Sequence, residues 1–250
     1  MLKKQGLFLI LILLLIALIE QDVWAKPVAQ FHNASQDNIT MSASPASENP
    51  HIQSFNRSVY AFNDKLDRFL LKPLASFYSR FTPELLRHGI TNFFDNIDTV
   101  ATFANDILQF KVYYLLNDSW RFLINTTVGL CGFIDVASNI GLEAHHEDFG
   151  LTLAHWGYKH SNYIVVPFLG PATVRDIISW PVDYLLFSVY PHVHSKVWRY
   201  GLYSLGMVDR RSSLLKYQNL FDQMALDRYA LTRNAYIQHR AMQLQDDDSY

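Results

Sequence analysis

The segment HHEDFGLTLAHWG, His145 to Gly157, is where residue types suited to chemistry are densest. His145, His146 and His155 offer imidazole nitrogens, and Glu147 and Asp148 offer carboxylates. Asp148-Phe149-Gly150 has the form of the tripeptide that holds magnesium in protein kinases. Three chemistries compete for this segment. Metal binding is the first, but adjacent His145 and His146 on a helix would diverge by about 100°. The i, i+4 histidine pair with a nearby acid that helical zinc sites use is absent. His192 and His194 stand at i, i+2, which converges only on a strand. Kinase chemistry fails because no Gly-rich loop, strand lysine or H-R-D loop accompanies the tripeptide. For nucleophilic catalysis, Cys131 lies between Leu130 and Gly132 in an apolar run, where it is expected to be buried and inert. No serine sits in a G-x-S-x-G elbow. Neither metal nor cofactor is expected. Adjacent acids complement a helix N-terminus, and Phe149, Leu153 and Trp156 follow at i, i+4 and i+7. The segment reads as a helix start.

The 250-residue chain is 50% hydrophobic and 14% aromatic, with only 18% charged residues and a net charge of -2. A typical soluble domain has roughly 25% charged residues. The charge balance argues against nucleic acid, which needs a basic stripe to replace phosphate counterions. No P-loop or GxGxxG follows an apolar run. At the start, MLKKQG is a positive n-region, Leu7 to Ile19 an apolar h-region, and Val23-Trp24-Ala25 an A-x-A-like site. The apolar run is shorter than the roughly 20 residues a spanning helix needs, so residues 1–25 are expected to be an export signal, with an uncleaved anchor as the alternative. Cys131 is the single cysteine, which rules out an intrachain disulfide.

Residues 26–48 are polar and small and read as a flexible tether. Beyond them the pattern is helical. Asn49-Pro50 is a start signal, and Phe55, Val59, Phe62, Leu66 and Phe69 repeat on one helix face until Lys72-Pro73 breaks it. Thr82-Pro83-Glu84 predicts a second start with the threonine as cap, followed by Leu86, Ile90, Phe93, Ile97, Val100, Ala104 and Ile107 almost to Phe110. Asn117-Asp118-Ser119 predicts the cap of a third helix. Gly129, Gly132 and Gly141 then punctuate an apolar loop or broken helix whose one charge is Asp135. Tyr163 to Pro167 is short and extended, Thr173 starts a helix, and Trp180-Pro181 interrupts it. A long C-terminal helix is expected from about Ser212 to Gln243, ending in an acidic tail over 244–250. No segment after the signal reaches 18 uncharged apolar residues. In-plane amphipathic helices in a bilayer and a soluble helical protein with a large core fit this composition equally.

The ordered set of residues resembles the MlaA/VacJ outer-membrane lipoproteins of Gram-negative bacteria. Asn49-Pro50, Phe55-Asn56-Arg57, Tyr60 and Phe62-Asn63 open the pattern. Asn92-Phe93, Asn96, Asn105 and Leu108-Gln109 follow, then Arg121-Phe122, Asn125, Gly129, Gly132-Phe133 and Asp135-Val136-Ala137. The most specific block is Glu147-Asp148-Phe149-Gly150, Thr152-Leu153, Gly157, Tyr163, Pro167, Gly170-Pro171 and Arg175-Asp176. The resemblance implies one all-α domain over 49–243, a ring of amphipathic helices in the plane of the inner leaflet of the outer membrane. It implies retrograde phospholipid transport without catalysis, a trimeric porin and a soluble periplasmic lipid carrier as partners, and no cofactor. Gly129, Gly132, Phe133, Asp135 and Gly141 would then line or gate the lipid path. Asn56, Arg57, Asn92, Asn125, Asp135 and Arg175 are expected as buried hydrogen-bond or ion-pair members, because unpaired polar groups in such surroundings cost several kcal/mol.

Two departures stand out. Family members carry an acylated cysteine just after the signal, and none lies near residues 16 to 30 here. Asp98-Thr99 also stands where a Glu-Pro is common. Two other functions compete with transport: an envelope lipid hydrolase using the His145–Asp148 cluster, and a porin-associated scaffold without lipid flux.

Overall fold

The structure is a computed structural model that describes residues 49–247. The expected signal, the tether and the end of the acidic tail lie outside the described residues. Helix α1, Pro50–Leu66, starts where expected: the Asn49 side chain accepts from the His51 amide, with Pro50 in the first turn. Lys72-Pro73 does not end it. A π-helical turn, Asp67–Leu71, carries the chain straight into α2, Lys72–Phe81. Proline removes one donor and crowds the carbonyl four residues back, and widening the preceding turn relieves both.

Helix α3, Glu84–Leu108, has Pro83 at its cap position, and the Thr82 side chain makes no capping bond. It ends at Phe110, which has a left-handed backbone (φ 59). Helix α4, Val112–Thr127, begins before Asn117-Asp118-Ser119, so those residues lie inside the helix rather than capping it. A glycine-bearing turn leads to the short α5, Val136–Asn139, capped by Asp135. Helix α6, Phe149–His155, is capped by Asp148, whose carboxylate accepts from the Leu151 amide at 2.8 Å. Strands β1, Tyr163–Val166, and β2, Gly170–Thr173, form an antiparallel hairpin with Tyr163 opposite Thr173. A capping box joining Thr173 and Asp176 starts α7, Val174–Val182, and a second π-helical turn, Asp183–Phe187, follows Pro181.

The C-terminal region departs from expectation. Two helices stand there, α8 at Lys196–Met224 and α9 at Arg228–Asp247. The break falls where Ala225 turns extended and the Asp227 carboxylate accepts from the Ala230 amide, starting a new helix. No helix among the described residues is long and apolar enough to cross a membrane. The protein is otherwise all-α, and its elements close on themselves. Helix α1 packs on β1, β2 on α9, α9 on α6, α6 on α3, α3 on α8, and α8 on α2, which continues from α1.

Burial is inverted. On α4 the buried residues are Asp118, Arg121 and Asn125, a polar stripe at helical spacing. The exposed ones include Tyr113, Leu116, Trp120 and Leu123, an apolar stripe on the opposite face. Helix α3 buries Asn96, Thr102, Asn105 and Asp106 and exposes Leu85, Leu86 and Ile107. Much of the apolar face predicted for the first helix points outward too: Phe55, Phe62 and Phe69 are exposed, Phe69 by 84%, whereas Val59 packs inward. Soluble monomers rarely show apolar area on this scale. The apolar core is small: one cluster of Tyr163, Val165, Tyr229 and Tyr236, and another of Phe94, Tyr190 and Tyr203. The interior is held instead by hydrogen bonds and ion pairs.

Candidate functional site

A cavity of about 90 Å³ opens inside this closed circuit. Its lining comes from α3, the segment before α6, β2, α7, the second π-helical turn, α8 and α9, and is rich in charge: Asp98, Asp148, Asp176, Asp183, Arg210 and Arg240. Arg240 organises it. Its guanidinium donates to Asp148 at 2.6 and 3.2 Å and to Asp176, which also accepts from the Tyr236 hydroxyl and from the Thr173 amide. Desolvation would lower the Arg240 pKa, but Asp148 and Asp176 outweigh it and hold the group charged. Burial raises the Asp176 carboxyl, and Arg240 and Tyr236 more than reverse that. Asp183 touches no cation among the described residues: burial, with the Asp148 charge beside it, pushes its pKa up to about 8, although it accepts from the Phe149 amide and Asn105 and feels Arg240. Arg210 pairs with Asp98 on a further part of the wall.

This arrangement accounts for the tripeptide that resembled a kinase motif. Asp148 caps α6 and pairs with Arg240, and the Phe149 ring meets Trp156 edge-on at 5.9 Å. Gly150 is required by contact: a Cβ there would lie 2.7 Å from Asp176 Oδ1 and 2.9 Å from Asp148 Oδ1. Glu147 is not a helix-start acid. It is buried, takes Lys111 at 2.8 Å and Gln109 at 2.7 Å, and faces His145 Nε2 at 3.2 Å. Burial raises its pKa, and His145 and Lys111 bring it down to about 2.

His145 sits outside any helix, stacked on Tyr114 at 4.0 Å. Burial lowers its pKa, yet Asp118 and Glu147 outweigh that and raise it to about 9. The Asp106 carboxylate lies nearby, fully buried, with its pKa pushed to about 8 by burial against the pull of His145. His146 lines the cavity, whereas His155, His192 and His194 are exposed.

The glycine-bearing loop lies elsewhere. Gly129, Gly132, Phe133, Asp135 and Gly141 are not among the residues lining the cavity. The first four fasten α4 to α3 and α5. A Cβ on Gly129 would come 2.2 Å from the Ile134 carbonyl, and Gly132 (φ 90) packs on Asn96. The Phe133 carbonyl accepts from Asn92 at 3.2 Å. Asp135 is held by Arg121 and Asn125, and burial, which would raise its pKa, is outweighed by bonds from Ser138 and Asn125. Cys131, expected to be buried, is exposed because the chain turns there with a positive φ of 58. Gly141 has open space around it.

The other predicted residues hold the fold. Asn56 is buried and stitches α1 to β1, accepting from the Val165 amide at 2.8 Å and donating to the Tyr163 carbonyl. Asn125 accepts from the Ala137 amide, and Arg175 donates to the Tyr158 and Lys159 carbonyls. Arg57 is half-exposed and pairs with Asp227 at 2.7 Å, and Phe55 is exposed. Sequence reasoning missed Arg240, Tyr236, Asp183 and Asp106. Arg240, Tyr236 and Asp183 bond across long stretches of chain, Asp106 lies beside the distant His145, and no local spacing announces them.

A profile of the MlaA lipoproteins matches residues 49–243. The chain is 34% identical over 190 residues to an uncharacterized protein of Rickettsia felis, covering 76% of this chain and 74% of that one. It is 33% identical over 193 residues to the intermembrane phospholipid transport system lipoprotein MlaA of Shigella flexneri, covering 75% of each. A solved chain, from work on the structural basis for maintenance of bacterial outer membrane lipid asymmetry, superposes with a TM-score of 0.63 at 28% identity. That superposition covers 79% of this chain and 99% of the other. The family match runs from α1 into α9, and the chain belongs to the MlaA lipoprotein family.

Proposed function

We propose that this chain is the outer-membrane component of a retrograde phospholipid transport system. It takes mislocalised phospholipid from the outer leaflet and passes it to a soluble periplasmic carrier, which maintains lipid asymmetry. The observation that carries this reading is the inverted burial around a charged cavity. An apolar exterior suits helices lying in the plane of a bilayer, on its periplasmic side and beside a trimeric porin. The polar interior offers a headgroup what hydrocarbon cannot, and side chains of both signs, Arg210 and Arg240 against the aspartates, suit a zwitterionic headgroup. At about 90 Å³ the cavity is well below the roughly 300–1,000 Å³ of ordinary ligand pockets, so passage requires the circuit to widen. The loop of Gly129, Gly132, Phe133, Asp135 and Gly141 would take part by shifting α3 against α4 rather than by lining the path. On this reading transport proceeds without catalysis, and Glu147 and Asp148 serve as ion-pair partners of Lys111 and Arg240.

The test is mass spectrometry of the detergent-solubilised protein from outer membranes, combined with outer-leaflet phospholipid measured in cells lacking it. Co-purifying phospholipid and porin, with surface phospholipid that rises on deletion and falls on complementation, support the proposal. Lipid-free protein in the soluble periplasm, or unchanged surface phospholipid, overturns it.

A further inference from the structure

Asp106 poses a question that the lipid path does not answer. It is fully buried near the end of α3, and among the described residues neither carboxylate oxygen meets a hydrogen-bond donor. A buried polar group left in this way is destabilising, and more so when charged. Its nearest cationic neighbour is the His145 Nδ1 atom, at 3.7 Å. The same nitrogen lies 3.2 Å from Asp118 Oδ2 of α4, and one ligand atom from each of the three residues falls within 4.8 Å of the others.

We propose that Asp106, Asp118 and His145 bind a divalent transition-metal ion of the zinc type. Three arguments converge. The first is geometry: tetrahedral zinc with bonds of about 2.0–2.2 Å places its ligand atoms roughly 3.3–3.6 Å apart, close to the 3.7 and 3.2 Å from His145 Nδ1 to Asp106 and Asp118, with the two carboxylates within 4.8 Å of each other. The second is the outer shell. A metal-bound histidine donates its other ring N–H to a carboxylate, and His145 Nε2 faces Glu147, itself fixed by Lys111 and Gln109. The remaining oxygen of Asp118 takes the Asn117 amide at 3.0 Å. The third is charge. Binding would displace the protons held by His145 Nδ1 and Asp106, and with Glu147 balanced by Lys111 the two aspartates then carry two negative charges, which a dication cancels. One imidazole with two carboxylates suits zinc better than magnesium or calcium, which prefer all-oxygen shells. The ion would staple α3, α4 and the segment before α6. These ligands come from three separate elements, so no motif spacing displays them. The inference does not depend on lipid transport.

The test uses the untagged full chain in detergent, stripped with chelator and titrated with zinc, read by elemental analysis, calorimetry and thermal unfolding. One zinc per chain and a higher Tm with zinc are expected. Asp118→Asn and His145→Gln lose the binding, and Glu147→Gln weakens it roughly 10–100-fold. Asp106→Asn loses it as well while keeping its helical circular dichroism, since the neutral amide matches the carboxyl in size. If Asp106→Asn does not fold, His145→Gln decides alone. No saturable binding by the parent chain overturns the site. So does zinc binding unchanged in His145→Gln, which would place the ion at exposed histidines.

Discussion

Replacing Asp176 by alanine removes the acceptor on which much of the interior converges. The carboxylate is 2% exposed and takes bonds from Arg240, from the Tyr236 hydroxyl, and from the Thr173 amide and hydroxyl at 2.8 and 2.7 Å. Breaking one partner of a buried ion pair costs about 3–5 kcal/mol, because the other charge is left without compensation. Arg240 keeps Asp148 and Gln243, so the lower end, about 3 kcal/mol, applies. Loss of the α7 capping box adds about 1 kcal/mol. For a protein of this size each kcal/mol moves Tm by about 2–4 °C, so Asp176→Ala should lower Tm by roughly 8–16 °C. The comparison is Arg68→Ala, which removes an exposed i, i+4 pair with Asp64 and should shift Tm by no more than about 2 °C. Thermal unfolding of both variants in the same detergent, followed by circular dichroism, is the assay. An Asp176→Ala shift no larger than that of Arg68→Ala would refute the claim that the buried ion cluster, rather than the small apolar core, holds the interior.

Three further outcomes are expected. Gly129→Ala should fail to fold or lose about 3 kcal/mol, because a Cβ meets two backbone oxygens within 2.5 Å. Gly141→Ala meets no atoms and bears only its left-handed backbone cost of about 1–2 kcal/mol; chemical unfolding should rank the two in that order. Asp183, with its folded pKa raised to about 8 by burial, binds a proton more readily folded than unfolded. Its contribution is therefore intact below about pH 4 and is lost as pH rises toward 8, so Asp183→Asn should flatten the fall in Tm across that window. Phe69→Asp and Trp198→Asp, on the exposed apolar face, should weaken vesicle binding in flotation assays while leaving Tm nearly unchanged.

Helix positions were legible in the sequence because apolar residues recur at the helical period whichever way the helix faces. The inward side was not legible. Period alone cannot tell a core from a lipid-facing surface, and here the stripe of Tyr113, Leu116, Trp120 and Leu123 points out while Asp118, Arg121 and Asn125 point in. Asn49, Asp148 and Thr173 announced helix starts because capping is local. The Lys72-Pro73 break was misjudged because a π-helical turn can absorb a proline, and the division at Ala225 because one extended residue leaves no compositional mark. The family resemblance drew on the blocks that hold Asp148 and Asp176, whereas the cavity's ordering residue, Arg240, lies outside them, 92 positions from Asp148.

The most direct measurement is photo-crosslinking in cells labelled with radioactive phosphate. A benzophenone amino acid is placed in turn at His239 and Trp180, which line the cavity, and at Phe69 and Trp198 on the outer face. Phospholipid adducts at His239 and Trp180 are what a lipid path through the cavity predicts. Adducts confined to Phe69 and Trp198 would contradict it and leave the protein as a membrane-bound scaffold.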